Sequence, residues 1–167
     1  AFAVGDLTVN WGVPEGAPIF TITNMAPGQT ETRSVLVNNG STTNRPVGIR
    51  GLKTSETGSL ADVLNIIISD SSVALYGGSS PTGPKTLDQF FAESASPEGI
   101  PLSTLSPGAN TTYTIIVNFD SAAGNPFQGA QVVFDLKIGI SVDLPTQCEN
   151  ITFSGQPIFG TSGNDRL

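Results

Sequence analysis

Few residues in this chain could do chemistry, and their types exclude most of it. There is no histidine, so neither a His-Glu-x-x-His zinc motif nor a Ser-His-Asp triad can be assembled. Cys148 is the only cysteine and has no imidazole to activate it. A lone cysteine is an ordinary small buried residue, and it forbids an intramolecular disulfide. The carboxylates Glu15, Glu31, Glu56, Asp62, Asp70, Asp88, Glu93 and Glu98 are spread along the chain. A distant pair brought together by the fold could form a glycosidase dyad, but scattered acids are ordinarily solvated surface. No Gly-x-Gly-x-x-Gly follows a strand, and no phosphate loop is present. Trp11, Tyr76 and Tyr113 are too few and too dispersed for a sugar-stacking platform. The expectation is a protein that is not an enzyme and has no obligatory cofactor.

Binding chemistry is better represented. The net charge of −7 and scattered basic residues exclude nucleic acid, which needs clustered Lys and Arg. No apolar run reaches the ~18 residues of a membrane span. Sequons for N-glycosylation occur at Asn39, Asn110 and Asn150. The end of the sequence, Gly160-Thr-Ser-Gly163-Asn-Asp165-Arg-Leu167, resembles one calcium-binding RTX nonapeptide with Thr161 in place of the second glycine. That resemblance makes Asp165 a candidate calcium ligand. A single repeat cannot fill the shell of a cation that takes six or more oxygens. Asp6, Asp120 and Asp143 could form a separate calcium site on an acidic protein. Calcium is therefore expected to be dispensable for folding.

These residues must be positioned by strands. Met25-Ala-Pro-Gly-Gln-Thr-Glu-Thr-Arg-Ser-Val-Leu-Val-Asn38 reappears as Leu105-Ser-Pro-Gly-Ala-Asn-Thr-Thr-Tyr-Thr-Ile-Ile-Val-Asn118, an offset of 80 from Met25 to Leu105. A Pro-Gly turn feeds a β-branched strand both times, with Gly supplying the positive φ of a type II turn. Ala130–Leu144 alternates, placing Val132, Phe134, Leu136, Ile138 and Ile140 on one face and Lys137 on the other. Gly139 is its natural bend point. Tyr113, Ile115, Val117 and Phe119 share a face of a second alternating run, and the pair reads as an antiparallel hairpin around Ser121–Gln128. Further strands are expected at Phe20–Thr23, Thr32–Asn38, Val47–Lys53 and Val63–Ser69. Asn38-Asn39-Gly40-Ser41 carries the Asn-Gly hairpin cue. Ser59 and Thr86 are candidate caps for short helical turns at Leu60–Val63 and Leu87–Ala92. The fold class is all-β: a sandwich of jelly-roll type with one or two short helices in its connections. Residues 1–144 form its single domain, and 145–167 are an extension.

The amino-terminal residues Phe2, Val4, Leu7, Val9 and Trp11 are apolar, with Gly5-Asp6 interrupting the alternation. They read either as a first strand paired within its own domain or as an arm that adds a strand to a neighbouring subunit. Fully extended, Ala1–Trp11 reaches ~36 Å, enough to cross a neighbour's sheet. A start on Ala1-Phe2-Ala3 suits a mature chain left after signal cleavage, and an arbitrary boundary suits it equally.

Taken in order, Phe2-Ala-Val-Gly-Asp-Leu-Thr-Val9, Ala26-Pro-Gly-Gln-Thr, Asn38-Asn-Gly-Ser41, Ser59-Leu-Ala-Asp-Val-Leu64, Ser106-Pro-Gly108, Tyr113–Phe119 and Phe127-Gln-Gly-Ala130 resemble the TasA/camelysin family of secreted matrix proteins, including related archaeal bundling pilins. The likeness covers roughly Ala1–Leu144 and rests on order more than on any one motif. It implies a jelly-roll subunit of an extracellular biofilm fibre or pilus. Copies of the chain would be joined by donor-strand exchange through Phe2, Val4, Leu7, Val9 and Trp11. Camelysin has been classed as a metallopeptidase, so the resemblance also carries an enzyme reading, which the missing histidines oppose. The expected function is a secreted or cell-surface homopolymer subunit. The alternatives are a monomeric calcium-dependent adhesion module and, behind it, a secreted hydrolase.

Overall fold

The computed structural model of the protein describes residues 6–14, 17–71 and 73–141. Expectations resting on Phe2, Val4, Glu15, Asp143, Cys148, Asn150, Asp165 and the extension 145–167 lie outside the described residues. The described chain folds into nine strands: β1 (Leu7–Asn10), β2 (Phe20–Thr23), β3 (Thr30–Asn39), β4 (Arg45–Thr57), β5 (Leu64–Asp70), β6 (Val73–Tyr76), β7 (Ile100–Leu105), β8 (Asn110–Phe119) and β9 (Gln131–Ile140). One short helix, α1 (Leu87–Glu93), lies between β6 and β7. Strand pairing is antiparallel throughout. One sheet runs β1-β3-β8-β5-β6 and the other β2-β9-β4-β7.

This is a jelly roll with one strand to spare. Counted from β2 as the first strand, the second sheet has the order 1-8-3-6 and the first contains 2-7-4-5, the two four-stranded sheets of that fold. β1 is added outside, on the free edge of β3. Alternating apolar residues of both sheets form the core. Val35 and Val37, Leu64, Ile66 and Ile68, and Tyr113, Ile115, Val117 and Phe119 face Phe20 and Ile22, Val47 and Ile49, and Val132, Phe134, Leu136 and Ile138. Phe20 stacks on its cross-strand partner Phe134 at 4.8 Å. Ile140 is half-buried and Lys137 exposed.

The sequence echo is a local two-fold axis. Its two copies become neighbouring strands, β3 and β8, in a register that runs from Thr30↔Asn118 to Asn38↔Asn110 and centres on Ser34↔Thr114. The bonds at the two ends are equivalent. Gly28 N–H donates to Phe119 O and Gly108 N–H to Asn39 O, each at 2.9 Å. Phe119 N–H donates to Gln29 O and Asn39 N–H to Ala109 O, again each at 2.9 Å. The symmetry extends outward: Leu7 of β1 pairs with Asn39 as Leu64 of β5 pairs with Phe119. In the second sheet each half lends a strand to the other, β2 to β9 and β7 to β4.

Several expectations are corrected. β8 and β9 are not a hairpin. They lie in opposite sheets, because both apolar faces point into the same core from its two sides. The Asn-Gly cue is not a hairpin either, since β3 and β4 also lie in different sheets and neither Asn39 nor Gly40 has the positive φ a type I′ turn needs. Gly139 is no bend: it pairs in register with Gly48, and the irregularities fall on β4 instead. Ser59 adopts a left-handed conformation and makes no side-chain cap. Glu56 Oε1 takes that role, accepting from Ala61 N–H at 2.7 Å. Thr86 caps α1 as expected, in a reciprocal capping box with Gln89. α1 packs on β4 because Gly51 leaves room. A Cβ there would sit 2.4 Å from the Phe90 ring.

Candidate functional site

Among the described residues no three His, Cys, Asp or Glu side chains converge. Glu31 pairs with Arg33, Lys53 with both Glu56 and Asp88, and Glu93 with Lys85. The Lys85 bond is the main reason the Glu93 carboxyl sits below its ordinary range. Tyr76 donates its hydroxyl to Glu93, and burial pushes that phenol upward, further from ionisation. Asp70 accepts from Thr111 Oγ1 at 2.6 Å. Asp6 and Asp120 sit at opposite ends of the five-stranded sheet, one beside Gly40 and the other beyond Phe119. The fold therefore does not bring them together as a calcium site.

The feature with functional geometry is the seat of β1. Four residues pair with the last four of β3, Leu7↔Asn39 through Asn10↔Leu36. Leu7 is buried, while Val9 and Trp11 are partly buried against the core. At the start of β1, the Asp6 carbonyl accepts from Gly40 N–H at 3.0 Å, and its carboxylate meets Arg45 Nη2 at 2.7 Å. At its end, Asn10 Oδ1 accepts from Gly12 N–H at 2.9 Å, and Gly12, at φ +69°, turns the chain away. β1 therefore stops short of Thr30–Val35, whose outer edge has no strand partner among the described residues. Arg33 closes that gap. Its Nε donates to Ile19 O, Nη1 bonds Glu31 Oε2, and the guanidinium lies 5.2 Å from the Phe20 ring centre. Charges turned inward at an open edge discourage further pairing there.

Asn39 anchors the seat. It is fully buried. Its Nδ2 donates to the carbonyls of Thr43, Leu105 and Ser106, and its Oδ1 accepts from Ser41 N–H and Ser41 Oγ. An amide so engaged is not open to a glycosyl donor, whereas Asn110 is exposed at the start of β8. Sequence reasoning found Leu7 and Val9 by their alternation but missed Asp6, Arg45 and Asn39. Arg45 lies beyond the Asn-Gly turn, and nothing local links it to Asp6. No family model matches the chain, and no curated protein matches it significantly.

Proposed function

We propose that the protein is a structural subunit of an extracellular fibre or pilus, polymerised by donor-strand complementation through its amino-terminal strand. One observation carries this reading: β1 is not among the eight strands of the jelly roll. A four-residue strand on a sheet edge, followed by a linker containing Gly12, Pro14 and Pro18, can leave without breaking any jelly-roll pairing. The seat it leaves is specific. It offers the β3 edge, the groove for Leu7, and Arg45 for the carboxylate of Asp6. A strand that fits its own edge fits the same edge of another copy, and such a head-to-tail contact propagates rather than closing. The apolar run Phe2, Val4, Leu7, Val9 supplies the inserting side chains. The resemblance to secreted fibre proteins agrees with this reading.

Electron microscopy and light scattering of the purified chain test it. Full-length protein should form filaments, and deletion of Ala1–Val9 should leave a folded chain that does not assemble. Leu7→Asp should behave similarly, because it places a carboxylate in an apolar groove. Normal filaments from the truncated chain would overturn the reading.

A further inference from the structure

Asn-Gly is the dipeptide most prone to deamidation, since the glycine nitrogen can reach the side-chain carbonyl with no Cβ in its way. The Asn39-Gly40 pair has bonds around it that would assist this reaction and one that opposes it. Two donors, Ser41 N–H at 3.0 Å and Ser41 Oγ at 2.8 Å, point at Asn39 Oδ1. Donors so placed would stabilise the oxyanion formed when Cγ is attacked. The nucleophile is restrained: Gly40 N–H is committed to the Asp6 carbonyl at 3.0 Å. Asn39 itself is held on its β8 side by Ala109 O and Gly108 N and at its amide by the carbonyls of Thr43, Leu105 and Ser106, while on the β1 side it stands opposite Leu7 and the Gly40 N–H bond is made to Asp6. The contact that restrains the nucleophile thus belongs to the residue leading into β1.

We propose that β1 is a chemical seal, and that a subunit whose β1 seat is empty deamidates at Asn39. In the reaction Gly40 nitrogen loses its proton to solvent base and attacks Asn39 Cγ. The Cγ–Nδ2 bond breaks, ammonia leaves, and a five-membered imide forms. Water then opens the imide to aspartate or isoaspartate. Either product damages the seat. A carboxylate replaces the donor that served three carbonyls, and isoaspartate adds a backbone atom where Leu7 pairs with Asn39. The seal in its own chain stands on the geometry alone. Its consequence for assembly, that an unpartnered acceptor is retired while a filled one is preserved, rests on the donor-strand reading.

Peptide mass spectrometry and isoaspartate labelling at Asn39, followed over days at mildly alkaline pH, test the seal. The folded full-length chain should deamidate at least about tenfold more slowly than the same chain in guanidinium, as expected for a site that reacts only on local opening. Equal rates would overturn the proposal. Full-length Leu7→Asp, with the core amides of Ile115 and Val117 still protected from hydrogen exchange, should deamidate faster than wild type, and an unchanged rate would overturn it. If Leu7→Asp loses that core protection, Arg45→Ala decides, since it loosens Asp6 and leaves the core whole. A faster rate supports the seal and an unchanged one refutes it. A synthetic peptide of residues 1–11 added to the faster variant separates the two ideas. Binding with restored protection supports both. Binding without protection refutes the seal and leaves strand exchange standing. Absence of binding refutes exchange and leaves the seal to the rate comparisons.

Discussion

Asn39 and Phe119 occupy equivalent places in the two halves of the molecule, with the same backbone bonds and opposite chemistry. Each ends a strand, each is fully buried, and each is bonded to the Pro-Gly turn of the other half. At the Asn39 end the interior is closed by a polar hub that ties β3, the β3–β4 connection and the end of β7 together. At the Phe119 end the ring meets Phe127 edge-on at 6.2 Å, and Met25, Pro27 and Phe127 border an open cleft. A symmetric backbone therefore does not impose symmetric ends. The polar end is fixed by directional bonds that fail together, whereas the apolar end is held by packing that can relax.

The largest effect should come from substituting the hub. Asn39→Asp points a carboxylate at three carbonyl oxygens in a fully buried site, and an uncompensated buried charge costs ~3–5 kcal/mol. Phe119→Ala should cost about 3 kcal/mol, the low end for a deleted aromatic, because Phe127 and the cleft walls can close on the space. Denaturant melts of both variants measure the contrast. A milder loss for Asn39→Asp than for Phe119→Ala would show that the polar end relaxes as readily as the apolar one.

The echo that builds this symmetry is visible in the sequence, but the way it is used is not. Pro27-Gly28 and Pro107-Gly108 announce their turns because glycine adopts the φ of +84° and +70° found there without the strain an L-residue would carry. Alternation placed the inward faces of β8, and of β9 as far as Ile138, correctly, since a period of two is a local property. Pairing is not local. The residues between β8 and β9 look like a hairpin loop because the two strands are consecutive in the sequence, whereas β8 pairs with its own echo β3. β6 and β7 were missed: Val73–Tyr76 is short, and Ile100–Leu105 carries Pro101, which argues against a strand but is tolerated on a sheet edge. At the candidate site, the apolar face of β1 was legible. The choice between pairing at home and reaching out was not, because a strand's alternation is the same in either seat. Asn39 read as a turn residue or sequon, since burial of an amide depends on carbonyls from β7, far along the chain.

Acid should loosen the apolar end through Glu56. Burial raises its carboxyl, but bonds from Lys53 and the Ala61 amide outweigh this and hold it below the ordinary range. A carboxylate depressed on folding adds stability above its unfolded pKa and loses it as pH falls through the folded one. Stability and the hydrogen-exchange protection of Ala61 N–H should therefore decline together on the acid side of the usual glutamate range. Glu56→Gln should flatten that part of the pH profile. An unchanged profile would mean that the turn at Leu60–Asp62 is held by Leu60 and Ala61 burial alone.

The smallest effect is the sharpest test of the symmetry. Gly28 and Gly108 stand at equivalent turns, each closed by a bond across the turn at 3.0 Å, Gln29 N–H to Ala26 O and Ala109 N–H to Ser106 O. A Cβ at Gly108 would meet nothing within 4 Å, and one at Gly28 would lie 3.9 Å from Ser121 Cβ, an ordinary contact. Neither substitution by alanine is opposed by crowding. What remains is the cost of holding an L-residue at positive φ, ~1–2 kcal/mol. Gly28→Ala and Gly108→Ala should therefore lose the same amount within about 0.5 kcal/mol, and the double variant should lose the sum, because the turns lie at opposite ends of the sheet and share no partner. Denaturant melts of the three variants measure this. A clearly larger loss at Gly108 would show that the turn beside the Asn39 hub is coupled to it through the Ser106 carbonyl, and that the two ends differ in their backbones as well as in their side chains.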